Sequence, residues 1–138
     1  MNKKRVDELI PIAYGVLKDT HICEKDEKDP SVLVIDSTYR AYISSFGAAV
    51  TMGSLISATA FFAANSEENK KRTGADRGKI GKAVFEVLKK YNNNIKEADL
   101  FQYIKSHGQT NKTKELVLDA GVALKLAMNL YPPKPKNK

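Results

Sequence analysis

Tryptophan is absent from this chain, and the residues that carry most enzyme chemistry are scarce: Cys23 is the only cysteine, and His21 and His107 are the only histidines. One thiol cannot build an intramolecular disulfide framework, which fits a reducing, cytoplasmic setting. No basic cluster beside Cys23 would lower its pKa, so it is expected to be inert. Metal binding fails on ligand count, because His21 and Cys23 lie close together while His107 is distant in sequence. The carboxylates Glu24, Asp26 and Asp29 lack the spacing of a calcium loop and read as a solvated charge run. Nucleophilic or acid–base catalysis needs a group that titrates near working pH and a partner that orients it. Neither histidine sits in such a constellation. Thr73 to Lys79 has three residues between its glycines where a phosphate loop needs four, and Ile80 stands where Ser or Thr should ligate magnesium. The expectation is a protein with no catalytic residues, no metal and no cofactor.

Charge is missing over one long stretch. From Ala41 to Ser66, 26 residues pass without an Asp, Glu, Lys or Arg. That length would suffice to span a membrane. Six Ser and Thr residues from Ser44 to Thr59 dilute its hydrophobicity, however, and Gly47 and Gly53 interrupt it. It reads better as a pair of core helices that also offers a surface to other proteins. A secretory leader is not expected either, since Asp7, Glu8 and Pro11 break the apolar run that should follow the basic start.

What the sequence does contain is positive charge and helical periodicity. Over 138 residues, 23 Lys and Arg outnumber 16 Asp and Glu, a net +7 that favours polyanionic partners. Residues 23–40 run against this trend, with three basic residues to five acidic, so the surplus lies after the uncharged stretch. Apolar residues at three- and four-residue spacings predict helices over 3–22, 37–52, 54–65, 77–91, 96–106 and 111–131. Pro11 should kink or split the first. Asp36 or Ser37 should cap the second, Gly53 should separate it from the third, and Asp76 should cap the fourth. Val32 to Ile35 has strand composition, but no comparable run exists to pair with it, so extended chain or a helix lead-in is expected. Residues 66–75 form the strongest loop signal. The fold class is therefore all-α: a single-domain helical bundle of five to six helices over residues 1–131, followed by a mobile basic tail over 132–138.

If the basic side chains converge, they make a surface that tracks a phosphate backbone without reading bases. The candidate phosphate contacts are Arg40, Lys71, Arg72, Lys82, Lys112, Lys114 and Lys125. A small helical regulator of duplex DNA is the alternative over residues 80–106, although the loop between those helices is longer than a tight helix-turn-helix allows. A purely structural scaffold subunit is another, with lysines that only solubilise.

The segment from Tyr39 to Phe62 resembles the signature of the Cmr small subunit, the fifth protein of the type III-B CRISPR effector module. Tyr42, Ser44 and Ser45 match the first part of that signature, and Gly53, Leu55, Thr59, Ala60 and Phe61 the second. Glu115 to Ala127, with Leu124 and Lys125, looks like the family's C-terminal helix. The resemblance implies a non-catalytic subunit acting in antiviral defence. It would sit beside the backbone ribonuclease subunit and the large subunit, line up with copies of itself, and contact guide and target RNA. No membrane partner is implied.

Overall fold

The computed structural model describes residues 1–63 and 75–135. Among these lie six helices and one small sheet: α1 (Lys3–Asp19), β1 (Cys23–Lys25), β2 (Leu33–Ile35), α2 (Ser37–Met52), α3 (Leu55–Ala63), α4 (Gly78–Tyr91), α5 (Leu100–His107) and α6 (Asn111–Met128). The all-α bundle expected from periodicity is the observed architecture. Most of the local signals act where they stand. The Asp36 carboxylate accepts from Thr38 N–H at 2.8 Å and starts α2, and Gly53 ends it. Asp76 accepts from Gly78 N–H at 2.9 Å, fastening the first turn of α4. Gly108 closes α5 with φ 79°, a left-handed value that glycine adopts without steric cost.

Four expectations need correction. Pro11 does not split α1, which runs unbroken from Lys3 to Asp19. The ring sits on the exposed side, where water can take the lost backbone bond, while Leu9, Ala13, Val16 and Leu17 anchor the opposite face. Val32 to Ile35 is not unpaired chain: Leu33–Ile35 pairs antiparallel with Cys23–Lys25, whose own composition gives no strand signal. The chain after residue 131 does not leave the bundle at once. Ile35 N–H donates to Pro132 O at 3.0 Å, and Lys134 N–H donates to Ile35 O at 2.8 Å, so these residues line the free edge of β2. Finally, α5 starts at Leu100 rather than 96, capped by Asp99, with Tyr103 buried and Phe101 only half-buried. The loop expected at 66–75 and the end of the helix expected at 54–65 lie mostly outside the described residues, as does the tail from residue 136.

The core is built around α4, which packs against α1, α3 and α6 and buries seven of its fourteen residues. Gly81 is one of them. A Cβ there would lie 2.7 Å from Phe62 O, so the glycine permits the close approach of α3. Phe62 in turn meets Phe46 of α2 edge to face, with ring centroids 5.4 Å apart. α6 runs alongside α1, with Asp119 near Asn2 and Arg5 and Tyr131 stacked on Tyr14 at 4.5 Å. It runs antiparallel to α2, so that Arg40 meets Asn129 while Phe46 meets Gly121.

The end of α1 holds a helix stop that the sequence does not advertise. His21 N–H donates to Lys18 O and Ile22 N–H to Leu17 O, both at 3.1 Å, while His21 takes φ 60°. This is the two-bond termination usually built with glycine, here carried by histidine. A side chain in that conformation costs on the order of 1 kcal/mol. His21→Gly should therefore raise unfolding free energy by about 1 kcal/mol in urea titrations with an unchanged m value.

Cys23 is buried at 5 % exposure, and burial pushes its thiol up to about 11, outweighing a hydrogen bond with Tyr131 that acts the other way. At pH 8 alkylation by iodoacetamide should be about 100-fold slower in the folded chain than in urea, because the thiolate is the reacting species. The unfolded thiol ionises near its ordinary 9.0 and the folded one near 11. Stability from this group is thus complete below pH 9 and is lost as pH rises through 11.

Candidate nucleic-acid interface

Seven basic residues are the candidate phosphate contacts, and the fold sends them to different places. Lys71 and Arg72 lie outside the described residues. Arg40 is half-buried and turned inward: its guanidinium donates to Asn129 Oδ1 at 2.9 Å and to Tyr131 O at 3.0 Å. It closes the C-terminal end of α6 against α2, with one donor from each terminal nitrogen used within the chain. Lys82 is exposed on α4, at a cleft of about 490 Å³ shared with His21, Lys79, Phe85 and the start of α5. Lys112, Lys114 and Lys125 stand on α6. Lys112 and Lys125 are exposed, and Lys114 is half-buried.

Helix geometry divides these three. At about 100° per residue, Lys112 points about 200° away from Lys114. Lys114 and Lys125 are eleven residues apart, which brings them back to within about 20° of the same face, with about 16 Å of rise between them. Lys125 lines the cleft between α2 and α6, and Lys114 precedes Leu118 of that cleft by one turn. The pair is thus aligned, while Lys82 and Lys112 occupy other faces.

Arginine and lysine are used differently throughout the described residues. Arg5 forms an ion pair with Asp119 at 2.7 Å. Arg77 donates to Phe61 O at 3.1 Å and lies 3.9 Å over the Phe61 ring. With Arg40, all three described arginines hold the fold together. Four lysines are also engaged: Lys79 with His21 O at 3.1 Å, Lys90 with Asp19 at 3.2 Å, Lys134 with Glu24 at 2.7 Å, and Lys89 over the Phe85 ring at 5.6 Å. The hydrogen bond from Lys134 to Glu24 raises the pKa of that ammonium. By contrast, Lys82, Lys112, Lys114 and Lys125 make no ion pair or hydrogen bond among the described residues. What the described residues leave for a partner is a set of point charges on flexible stems, without the planar fork that recognises guanine bidentately.

Nothing in the described residues assembles chemistry around these cations. No group of three or more His, Cys, Asp or Glu residues is placed to hold a metal ion. His107 sits 3.6 Å from Glu97 and stacks on Tyr103 at 4.2 Å, with Nδ1 3.0 Å from Tyr103 O, at the end of α5. No described helix is long and apolar enough to cross a membrane. The uncharged stretch instead builds α2 and α3, whose inward side chains fill the core and whose outward side leaves Met52 at 87 % exposure.

The sequence reading missed three features of this surface. One is the eleven-residue alignment of Lys114 with Lys125, which was legible from spacing alone. The others are the internal engagement of Arg40 and of Arg77, which depends on partners far along the chain. No protein-family model, curated protein or solved structure matches this chain.

Proposed function

We propose that this chain is a non-catalytic small subunit of a type III-B (Cmr) CRISPR effector, which helps retain target RNA by its phosphates. The observation that carries the reading is the division of labour among its cations. Among the described residues Arg5, Arg40 and Arg77 are spent on the fold, and lysines without an ion pair there, such as Lys82 and Lys112, are left outward. Lysine ammonium groups attract phosphate without regard to base, which suits a subunit that must accept any target sequence. The likeness of residues 39–62 to the Cmr small subunit supplies the class of assembly. Its partners there would be the backbone ribonuclease subunit, the large subunit, neighbouring copies, and guide and target RNA. Lysines spread over several faces give a modest affinity to one copy and a large one to copies held in a row, because each further contact forms at high effective concentration.

Filter binding with a short labelled RNA tests the proposal. Retention should fall on replacing Lys82 and Lys112 with glutamine, and the RNA should stay intact with or without magnesium. Cleavage by the pure chain would favour a nuclease instead. A scaffold without RNA contact has one observation in its favour, the exposed uncharged surface around Met52. It predicts no crosslink between the chain and RNA in the assembled complex.

A further inference from the structure

We propose that the cleft between α2 and α6 is a docking groove for a partner protein's amphipathic helix, one whose apolar ridge is flanked by carboxylates. The proposal assigns Lys114 and Lys125, two of the candidate phosphate contacts, to a protein carboxylate pair and leaves Lys82 and Lys112 to RNA. It has a volume of about 220 Å³, with Ile43, Phe46 and Gly47 on the α2 side and Leu118, Val122 and Lys125 on the α6 side. Its depth comes from a missing side chain, since a Cβ at Gly47 would meet nothing within 4 Å. The floor is apolar, so covering it with an apolar ridge is favourable. Lys125 lines its α6 rim, and Lys114 lies one turn beyond Leu118 on the same face, about 16 Å from Lys125 along the helix axis.

The charge on that rim has no counterpart among the described residues. The carboxylates of α6, Glu115 and Asp119, face α1, where they meet Arg5 and the N-terminal ammonium. Lys114 and Lys125, on another face of the same helix, make no ion pair among the described residues. A carboxylate pair at matching rise on a docked helix would supply one, setting its register and orientation. A phosphodiester strand fits less well. The α2 wall presents Ser44, Ala48 and Thr51 and no charge at all. A polyanion would meet cations on one wall only while losing hydration against the apolar floor.

The test is amide chemical-shift mapping on the full chain with a synthetic helical peptide. The peptide has a leucine and alanine ridge and two glutamates eleven residues apart; its control has lysines at those two positions. The glutamate peptide should shift the amides of Gly47, Ala48, Gly121 and Val122 and bind about tenfold more tightly than the control. The double variant Lys114→Glu, Lys125→Glu should reverse that preference. Gly47→Leu, which fills open space and keeps the fold, should abolish binding of both peptides while RNA retention through Lys82 and Lys112 persists. Absence of shifts at the cleft overturns the proposal, as does a peptide preference that survives charge reversal. So does a short RNA that shifts these same amides in place of the peptide.

Discussion

Replacing Asp119 with alanine should lower the unfolding free energy by about 3–5 kcal/mol, the range for breaking a buried ion pair from one side. Asp119 is 1 % exposed, and its carboxylate takes Arg5 Nη2 at 2.7 Å and Arg5 Nε at 2.8 Å. Asn2 N–H approaches both of its oxygens at 3.4 Å. The alanine variant leaves the Arg5 guanidinium, 20 % exposed, against the packed faces of α1 and α6 without its anion. Glu115, half-exposed and 4.0 Å from Arg5, recovers little of the loss, because surface pairs are screened. For a chain of this length the melting temperature should fall by about 10–20 °C. The double variant Arg5→Met, Asp119→Leu should recover most of that loss, since a well-packed apolar pair can equal a buried ion pair. Calorimetry on the two variants measures both effects. A melting temperature unchanged by Asp119→Ala contradicts the role assigned to this pair.

Arg40→Met should cost about 2–3 kcal/mol in stability, given two hydrogen bonds from a charged donor, and should leave the salt dependence of RNA binding where it was. The same substitution on an exposed phosphate contact would do the opposite. Arg40 thus separates a residue that resembles a nucleic-acid ligand from one that acts as one. Its acceptors, Asn129 Oδ1 and Tyr131 O, are 89 and 91 positions away. Tyr131 is itself fixed by its hydroxyl, which donates to Tyr14 O at 2.8 Å. Loosening this end of α6 should therefore also free the residues that follow, where Pro132 and Lys134 bond to Ile35. Protease sensitivity near residue 132 in the Arg40→Met variant would report that release.

Most of the helical frame was legible because its signals are local. Asp36, Gly53, Asp76 and Gly108 each act within a few residues of themselves, and the apolar spacings of α1, α4 and α6 repeat over several turns. The hairpin was not legible. Cys23–Lys25 looks like loop, and its strand conformation depends on Leu33–Ile35 and on packing beneath it. The stop at His21 was hidden because glycine, the usual sign of it, is absent. Of the candidate interface, the aligned lysines of α6 follow from spacing. The turning inward of Arg40 follows only from the fold, since a half-buried arginine and an exposed one read alike in sequence.

RNA association measured over a range of salt concentrations tests the central claim, that the outward lysines Lys82 and Lys112, and not Arg40, meet phosphate. On a plot of log association constant against log salt concentration, each of Lys82→Gln and Lys112→Gln should reduce the magnitude of the slope by about 0.7. Arg40→Met should leave it unchanged. A slope that is the same for the wild-type chain and the two lysine variants would contradict the account.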